Sequence, residues 1–220
     1  MRVLKPGSYI PSIKGITANT VKHEHIFPFY ASFKITSNCH FGCPYCNVKK
    51  SPAPDVDTRG IKAVLDNLSR SSVLMTSFEG GEPLLREDIG ELLEYASRCS
   101  FYLLFTTSAR SLEDYPLNEY AKYIDFFHIS IDEGHGNLEM FEKLSDLTEL
   151  KTQVSVQTVV TKDTVDRIEE KVKKCYDSGA NIVIIPASPM EEAEDHFPDM
   201  DEMEKKVKGL IRKYPLTIHT

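Results

Sequence analysis

What most constrains this chain is a rhythm. From residue 28 onward, short apolar runs suited to β-strands alternate with stretches whose apolar residues recur at helical spacing. The strand-like runs are 29–36, 72–78, 101–107, 125–131, 151–160 and 181–187. Between them, Ile61, Val64, Leu65 and Leu68 mark one amphipathic helix, and Ile89, Leu92, Leu93 and Ala96 another. Weaker helical patterns cover 112–123 and 137–148. Val165, Ile168, Val172 and Cys175 stripe a further helix, with Gly179 where a C-cap glycine belongs. Met203, Val207, Leu210 and Ile211 suggest a last one. Such β/α units in succession predict an α/β fold with a parallel sheet and helices outside it. Right-handed crossovers curl that sheet toward a barrel. Six units fall short of a closed TIM barrel, so the expectation is a partial, open (β/α)6 TIM-like barrel. Its functional groups then belong at the C-terminal strand ends.

Residues 1–27 are polar, basic and rich in Gly and Pro, and read as an extended N-terminal arm. Residues 28–190 form the expected core. Residues 191–220 are an acidic segment, broken at Pro198, followed by a helix and a strand-like end. With 26 Lys and Arg against 33 Asp and Glu, the net charge of −7 argues against broad nucleic-acid binding. No apolar run approaches the length of about 18 residues that a membrane span needs. The N-terminus also lacks the apolar core of a secretory signal. A cytoplasmic location is the expectation.

Three of the five cysteines crowd into the loop after the first strand, Cys39-His40-Phe41-Gly42-Cys43-Pro44-Tyr45-Cys46. In a reducing compartment, that spacing points to a metal or to catalysis rather than to disulfides. Three thiolates on one loop can hold three corners of an iron–sulfur cubane and leave its fourth iron open. Zinc remains the alternative at this point, although His40 is poorly placed to close a tetrahedron. The second strand is followed by Glu79-Gly80-Gly81-Glu82-Pro83-Leu84, at the same end of the expected sheet. Paired glycines let a backbone approach a ligand closely. The Glu82 carboxylate can accept hydrogen bonds from an ammonium group.

Taken together, the C-x3-C-x-aromatic-C loop and the GGEP loop, with Leu84-Leu85-Arg86 after it, resemble the radical S-adenosylmethionine (SAM) superfamily. The resemblance spans roughly residues 28–190. It implies a [4Fe–4S] cluster held by Cys39, Cys43 and Cys46, with SAM as the second cofactor. It also implies reductive cleavage of SAM to a 5′-deoxyadenosyl radical that abstracts hydrogen from, or adds to, a biosynthetic substrate. By position, Tyr45 would contact adenine, and Gly80, Gly81 and Glu82 would hold the methionine end. Ser130 would lie near the ribose or the SAM carboxylate. Gln157 stands where many relatives carry a ribose-binding Asn, and Pro186 would lie along adenine. A flavodoxin- or ferredoxin-like reductant is implied as partner. The stretch from Gly80 to Ile89 most resembles the branch of molybdenum-cofactor cyclases, peptide maturases and adenosyl-hopene-type lipid enzymes. The substrate is accordingly a small molecule, a lipid precursor or a peptide. The competing reading is a non-catalytic Fe–S electron carrier or a zinc-stabilised binding module.

The remaining candidates divide between site and core. Cys99 and Cys175 fall on apolar helix stripes and read as core residues. His128 alternates with apolar neighbours and reads as a satisfied barrel residue, whereas His135, on the loop after the fourth strand, is a candidate substrate contact. Two expectations follow. Gly81→Val should block SAM yet spare the cluster, whose ligands lie on a different loop. Substrate-coupled activity should require a further C-terminal segment or a partner protein.

Overall fold

The computed structural model describes residues 5–22, 27–46, 48, 53–108, 110, 112–188 and 196–219. The chain divides into two units, one of Met1–Cys39, Val48–Thr106 and Tyr115–Phe127, the other of His40–Asn47, Thr107–Asp114 and His128–Thr220.

The first unit opens with helix α1 (Pro6–Lys22), then strand β1 (Tyr30–Thr36), α2 (Thr58–Ser69), β2 (Met75–Gly80), α3 (Ile89–Ser97), β3 (Tyr102–Thr107) and the short α4 (Leu117–Tyr120). β1 and β2 run parallel, with Phe33 beside Phe78, Lys34 beside Glu79 and, across a bulge, Thr36 beside Gly80. β2 and β3 are also parallel, with Phe78 beside Phe105. α2 starts where Asp57 accepts a hydrogen bond from the Gly60 N–H at 2.7 Å, which satisfies one of the free amides of its first turn. Of its apolar stripe, Ile61 and Leu65 are buried, whereas Val64 is exposed. α3 buries Ile89, Leu92, Leu93 and Ala96, all four of the expected positions.

The arm expected to be extended is helical over 6–22. Its docking explains why hydrophobic periodicity missed it. Ser12 Oγ donates to the Ser72 carbonyl at 2.9 Å, the Tyr9 and Tyr102 hydroxyls meet at 2.8 Å, and Lys5 Nζ donates to the Phe101 carbonyl at 2.7 Å. A Cβ at Gly15 would lie 2.8 Å from Ser72 Cβ, so only glycine allows that close approach. The helix is thus held by polar contacts and a small residue, and Ile10, Ile13 and Val21 stay exposed.

The fourth strand, β4 (Phe126–Ser130), gives its last three residues to the second unit. There follow α5 (Leu144–Thr148), β5 (Gln153–Val160), α6 (Ile168–Ser178), β6 (Asn181–Pro186), α7 (Met200–Lys213) and the two-residue β7 (Ile218–His219). β5 and β6 are parallel from Ser155 beside Asn181 to Val160 beside Pro186, and β7 adds in parallel to β6. The expected helix over 137–148 is a 3-10 segment, Leu138–Lys143, that becomes α only at α5. The weak pattern over 112–123 yields a short 3-10 turn, Leu112–Asp114, and then α4. α6 buries Ile168, Val172 and Cys175 completely. It ends at Gly179 in the left-handed conformation (φ 76°) that only glycine adopts without strain. Of the acidic run, residues 191–195 lie outside the described residues.

Candidate active site

In the first unit the GGEP loop is joined backbone to backbone with the residues that lead into Cys39. The Gly81 N–H donates to the Thr36 carbonyl at 2.9 Å, and the Glu82 N–H donates to the Asn38 carbonyl at 2.7 Å. The glycines make this possible. A Cβ at Gly80 would sit 2.2 Å from the Thr36 oxygen, on a residue whose φ of +143° already disfavours any side chain. At Gly81 it would sit 2.0 Å from the Asn38 oxygen and 3.0 Å from Cys39 Cβ. The expectation that Gly81→Val spares the cluster assumed two independent loops, whereas a side chain at Gly81 would press on Asn38 and Cys39. Glu82 is buried, and one of its oxygens accepts from the Leu84 N–H at 3.1 Å, capping the turn Pro83–Leu85.

Charged side chains hold the approach to Cys39. Asp55 accepts from the Thr36 hydroxyl at 2.6 Å and from the Ser37 N–H at 2.9 Å. Arg86, just beyond the GGEP turn, donates to the Ile35 carbonyl at 2.8 Å and lies 3.7 Å from Asp55. It also grips both oxygens of Asp88 at 2.8 Å. That bidentate pairing, helped by the Thr58 hydroxyl, outweighs burial and holds the Asp88 carboxyl below its usual range. Glu79, on the half-exposed side of β2, accepts from Tyr30 at 3.0 Å and Ser32 at 2.7 Å. Sequence reasoning passed over Asp55 and quoted Glu79 and Arg86 as part of the motif without giving either a role. Asp55 carries no local signal, since what it bonds lies 17 to 19 residues earlier.

In the second unit, the turn closed by the Cys46 N–H to the Cys43 carbonyl (3.1 Å) presents Tyr45 to the loop after β4. The Tyr45 hydroxyl donates to Asp132 Oδ1 and lies 3.0 Å from His135 Nδ1. His135 Nδ1 is 2.9 Å from the same carboxylate oxygen, and the His135 N–H donates to it at 3.0 Å. The other oxygen of Asp132 accepts from the Val159 N–H at 3.2 Å. Asp132 has no exposed surface. Burial works against its charge, but the His135 ring, the Tyr45 hydroxyl and the backbone amide prevail, so the carboxyl stays below its ordinary value. Burial likewise opposes a charge on His135. Its bonds to Asp132 and to the Cys43 sulfur prevail and raise the ring to about 10. Tyr45 is shifted upward, first by burial and then by the carboxylate beside it.

The other expected positions fall as follows. Gln157 Nε2 lies 2.7 Å from His128 Nδ1, so the pair satisfies itself on neighbouring strands. The Ser130 carbonyl accepts from Asn137 Nδ2 at 2.8 Å at the end of β4, and Pro186 ends β6. Cys175 is a core residue whose burial pushes its thiol up to about 12, while Cys99 is only half-buried. None of the five cysteines forms a disulfide. Among the described residues, no three His, Cys, Asp or Glu side chains are drawn together as a metal-ion site. The chemistry of the donors, three thiols at C-x3-C-x2-C spacing, suits an iron–sulfur cluster that keeps one iron open.

These loops and the parallel β/α arrangement define a class. The family model of the Radical SAM superfamily matches residues 33–202, and the chain belongs to that superfamily. The family uses a [4Fe–4S] cluster and SAM. Among curated proteins the chain is similar to the mycofactocin maturase MftC of Mycolicibacterium smegmatis. The two are 27% identical over 192 residues, which is 79% of this chain and 48% of the relative. It is also similar to the PqqA peptide cyclase of Xanthomonas oryzae pv. oryzae, 33% identical over 84 residues, 37% of this chain and 23% of that one. The chain thus spans about half the length of the first relative and under a quarter of the second. Among solved structures, Streptococcus suis SuiB bound to S-adenosylmethionine matches 94% of this chain and 53% of its own, with a TM-score of 0.76 at 17% identity. Native anSMEcpe with bound AdoMet and Cp18Cys peptide matches 87% of this chain and 63% of its own, with a TM-score of 0.62 at 16% identity. The fold is the open, partial (β/α)6 barrel that the sequence led us to expect.

Proposed function

We propose that this chain holds a [4Fe–4S] cluster on Cys39, Cys43 and Cys46, binds SAM beside it, and directs the radical chemistry at a peptide. When bound, the cluster and SAM supply a one-electron reductive cleavage that yields a carbon radical able to take a hydrogen atom. The chain's own residues bind, orient and exclude water. The three thiolates are the cluster ligands. Gly80 and Gly81 let this loop close against Thr36 and Asn38, and the methionine end would lie along its backbone, with Glu82 as the acceptor for its ammonium group. Tyr45 and Pro186 would flank adenine, and Ser130 and Gln157 would meet the ribose or carboxylate. A flavodoxin- or ferredoxin-like protein would deliver the electron.

The observation that carries this reading is the pair of backbone hydrogen bonds between Gly81 or Glu82 and the approach to Cys39. They tie the GGEP loop to the residues that lead into Cys39. The peptide substrate is supported by the relatives, a maturase and a peptide cyclase by name, and by a solved neighbour with a bound peptide. The test is anaerobic reconstitution followed by reduction with SAM. The wild-type chain is expected to take up about four irons, as a cubane requires, and to release 5′-deoxyadenosine and methionine. The Cys39→Ala/Cys43→Ala/Cys46→Ala variant should do neither. A full cluster in the triple variant would sink the ligand assignment. Candidate peptides encoded beside the gene would then be screened for mass changes that need SAM and reductant.

A further inference from the structure

The cysteine loop carries a second anchor that the ligand pattern does not foretell. Tyr45 sits between two of the proposed ligands, and its hydroxyl ends on a carboxylate with no exposed surface. Asp132 Oδ1 meets three donors, the Tyr45 hydroxyl, the His135 ring and the His135 backbone, while Oδ2 takes the Val159 amide. The Asp132 backbone is fixed in turn, because its N–H donates to Asn137 Oδ1 at 3.2 Å, and Asn137 Nδ2 bonds the Ser108 and Ser130 carbonyls. Shape reinforces the bonding. A Cβ at Gly134 would sit 2.3 Å from the Tyr45 ring, so glycine there admits the aromatic face. Phe41 stacks edge-on against His135 with centroids 5.3 Å apart, adding a second grip on the same loop.

We propose that Asp132 is a positioning residue for the cofactors. Through the Tyr45 hydroxyl and the His135 ring it locks the Cys43–Cys46 half of the cysteine loop to the end of β4 and fixes the tyrosine ring at the angle that adenine meets. This inference rests on the reading that Cys43 and Cys46 are cluster ligands. It assigns Asp132 no contact with SAM or substrate. A buried hydrogen bond to a carboxylate is the stronger kind, so removing one partner should be felt well beyond a surface change.

The experiment is a double-mutant cycle with Tyr45→Phe and Asp132→Asn on the anaerobically reconstituted chain. Iron content, SAM affinity by equilibrium dialysis, and the electron paramagnetic resonance spectrum of the reduced cluster with and without SAM are measured for each. Tyr45→Phe keeps the ring and all three thiols. It is expected to retain the cluster, to bind SAM about tenfold more weakly, and to lose the SAM-induced spectral change at wild-type SAM concentrations. The double variant should be no worse than Asp132→Asn alone, the mark of residues acting through one bond. Wild-type SAM affinity and spectra in Tyr45→Phe, or effects of the two changes that simply add, would overturn the proposal. If Asp132→Asn does not fold, His135→Gln takes its place in the cycle under the same criteria. Cys43→Ala separates the two levels. Retention of a complete cluster there would overturn the ligand reading itself, whatever Tyr45→Phe does.

Discussion

Single residues here carry more than their type suggests, and the glycines of the GGEP loop are the clearest case. Gly81 was legible as a residue that leaves room, but the room is taken up by the Asn38 carbonyl and the Cys39 side chain. Gly81→Ala should therefore lower both the thermal midpoint and the iron content after reconstitution, in contrast to a change confined to SAM binding. Iron uptake at the wild-type level in that variant would show that the contact relaxes freely. Lys171 offers a second test. Its ammonium, with 4% of the side chain exposed, bonds Glu133 Oε2 at 2.5 Å and the Thr158 hydroxyl at 3.1 Å. Among the described residues, the other Glu133 oxygen is buried without a hydrogen bond, and it lies 3.6 Å from Arg167. Lys171→Met should destabilise by roughly 2 kcal/mol or more, since it strands a carboxylate. Denaturant titration reads this directly, and an unchanged midpoint would rule it out.

At the scale of elements, caps and ion pairs decide where helices begin and how they respond to acid. Asp57→Ala removes the N-cap of α2 and should cost about 1 kcal/mol while leaving SAM affinity intact. Asp88, between the GGEP turn and α3, has a folded-state value below its ordinary 3.8 because Arg86 pairs with it. Its contribution is complete above that ordinary value and is lost as pH falls through the depressed one. Asp88→Asn should thus be less stable at neutral pH and show a shallower loss of stability at the acid end. A parallel acid limb in the two proteins would contradict this. Elements with an apolar stripe, such as α3 and α6, were legible in the sequence. α1 was not, because hydroxyls, one lysine and a glycine dock it, and these leave no periodic trace. The 3-10 segment Leu138–Lys143 was mistaken for the start of an α-helix, since both geometries bury residues at a spacing near three.

For the whole molecule, the acidic balance of −7 leaves no net attraction for a polyanion. The chain should pass unretained through heparin at about 0.15 M salt, where screening confines charge effects to short range. Strong retention would point to a basic surface that the total charge conceals. What the sequence determined by itself was the β/α order and the class of chemistry, since period, thiol spacing and paired glycines are local patterns written in consecutive residues. Only the tertiary structure decided what holds the motif loops in place. Asp55 reaches back to Thr36 and Ser37, Arg86 to Ile35, and Asp132 to Tyr45 from 87 residues away. Partners so distant in the chain meet through the sheet, and a hydrogen bond between them depends on ångström-scale geometry that no one-dimensional pattern records.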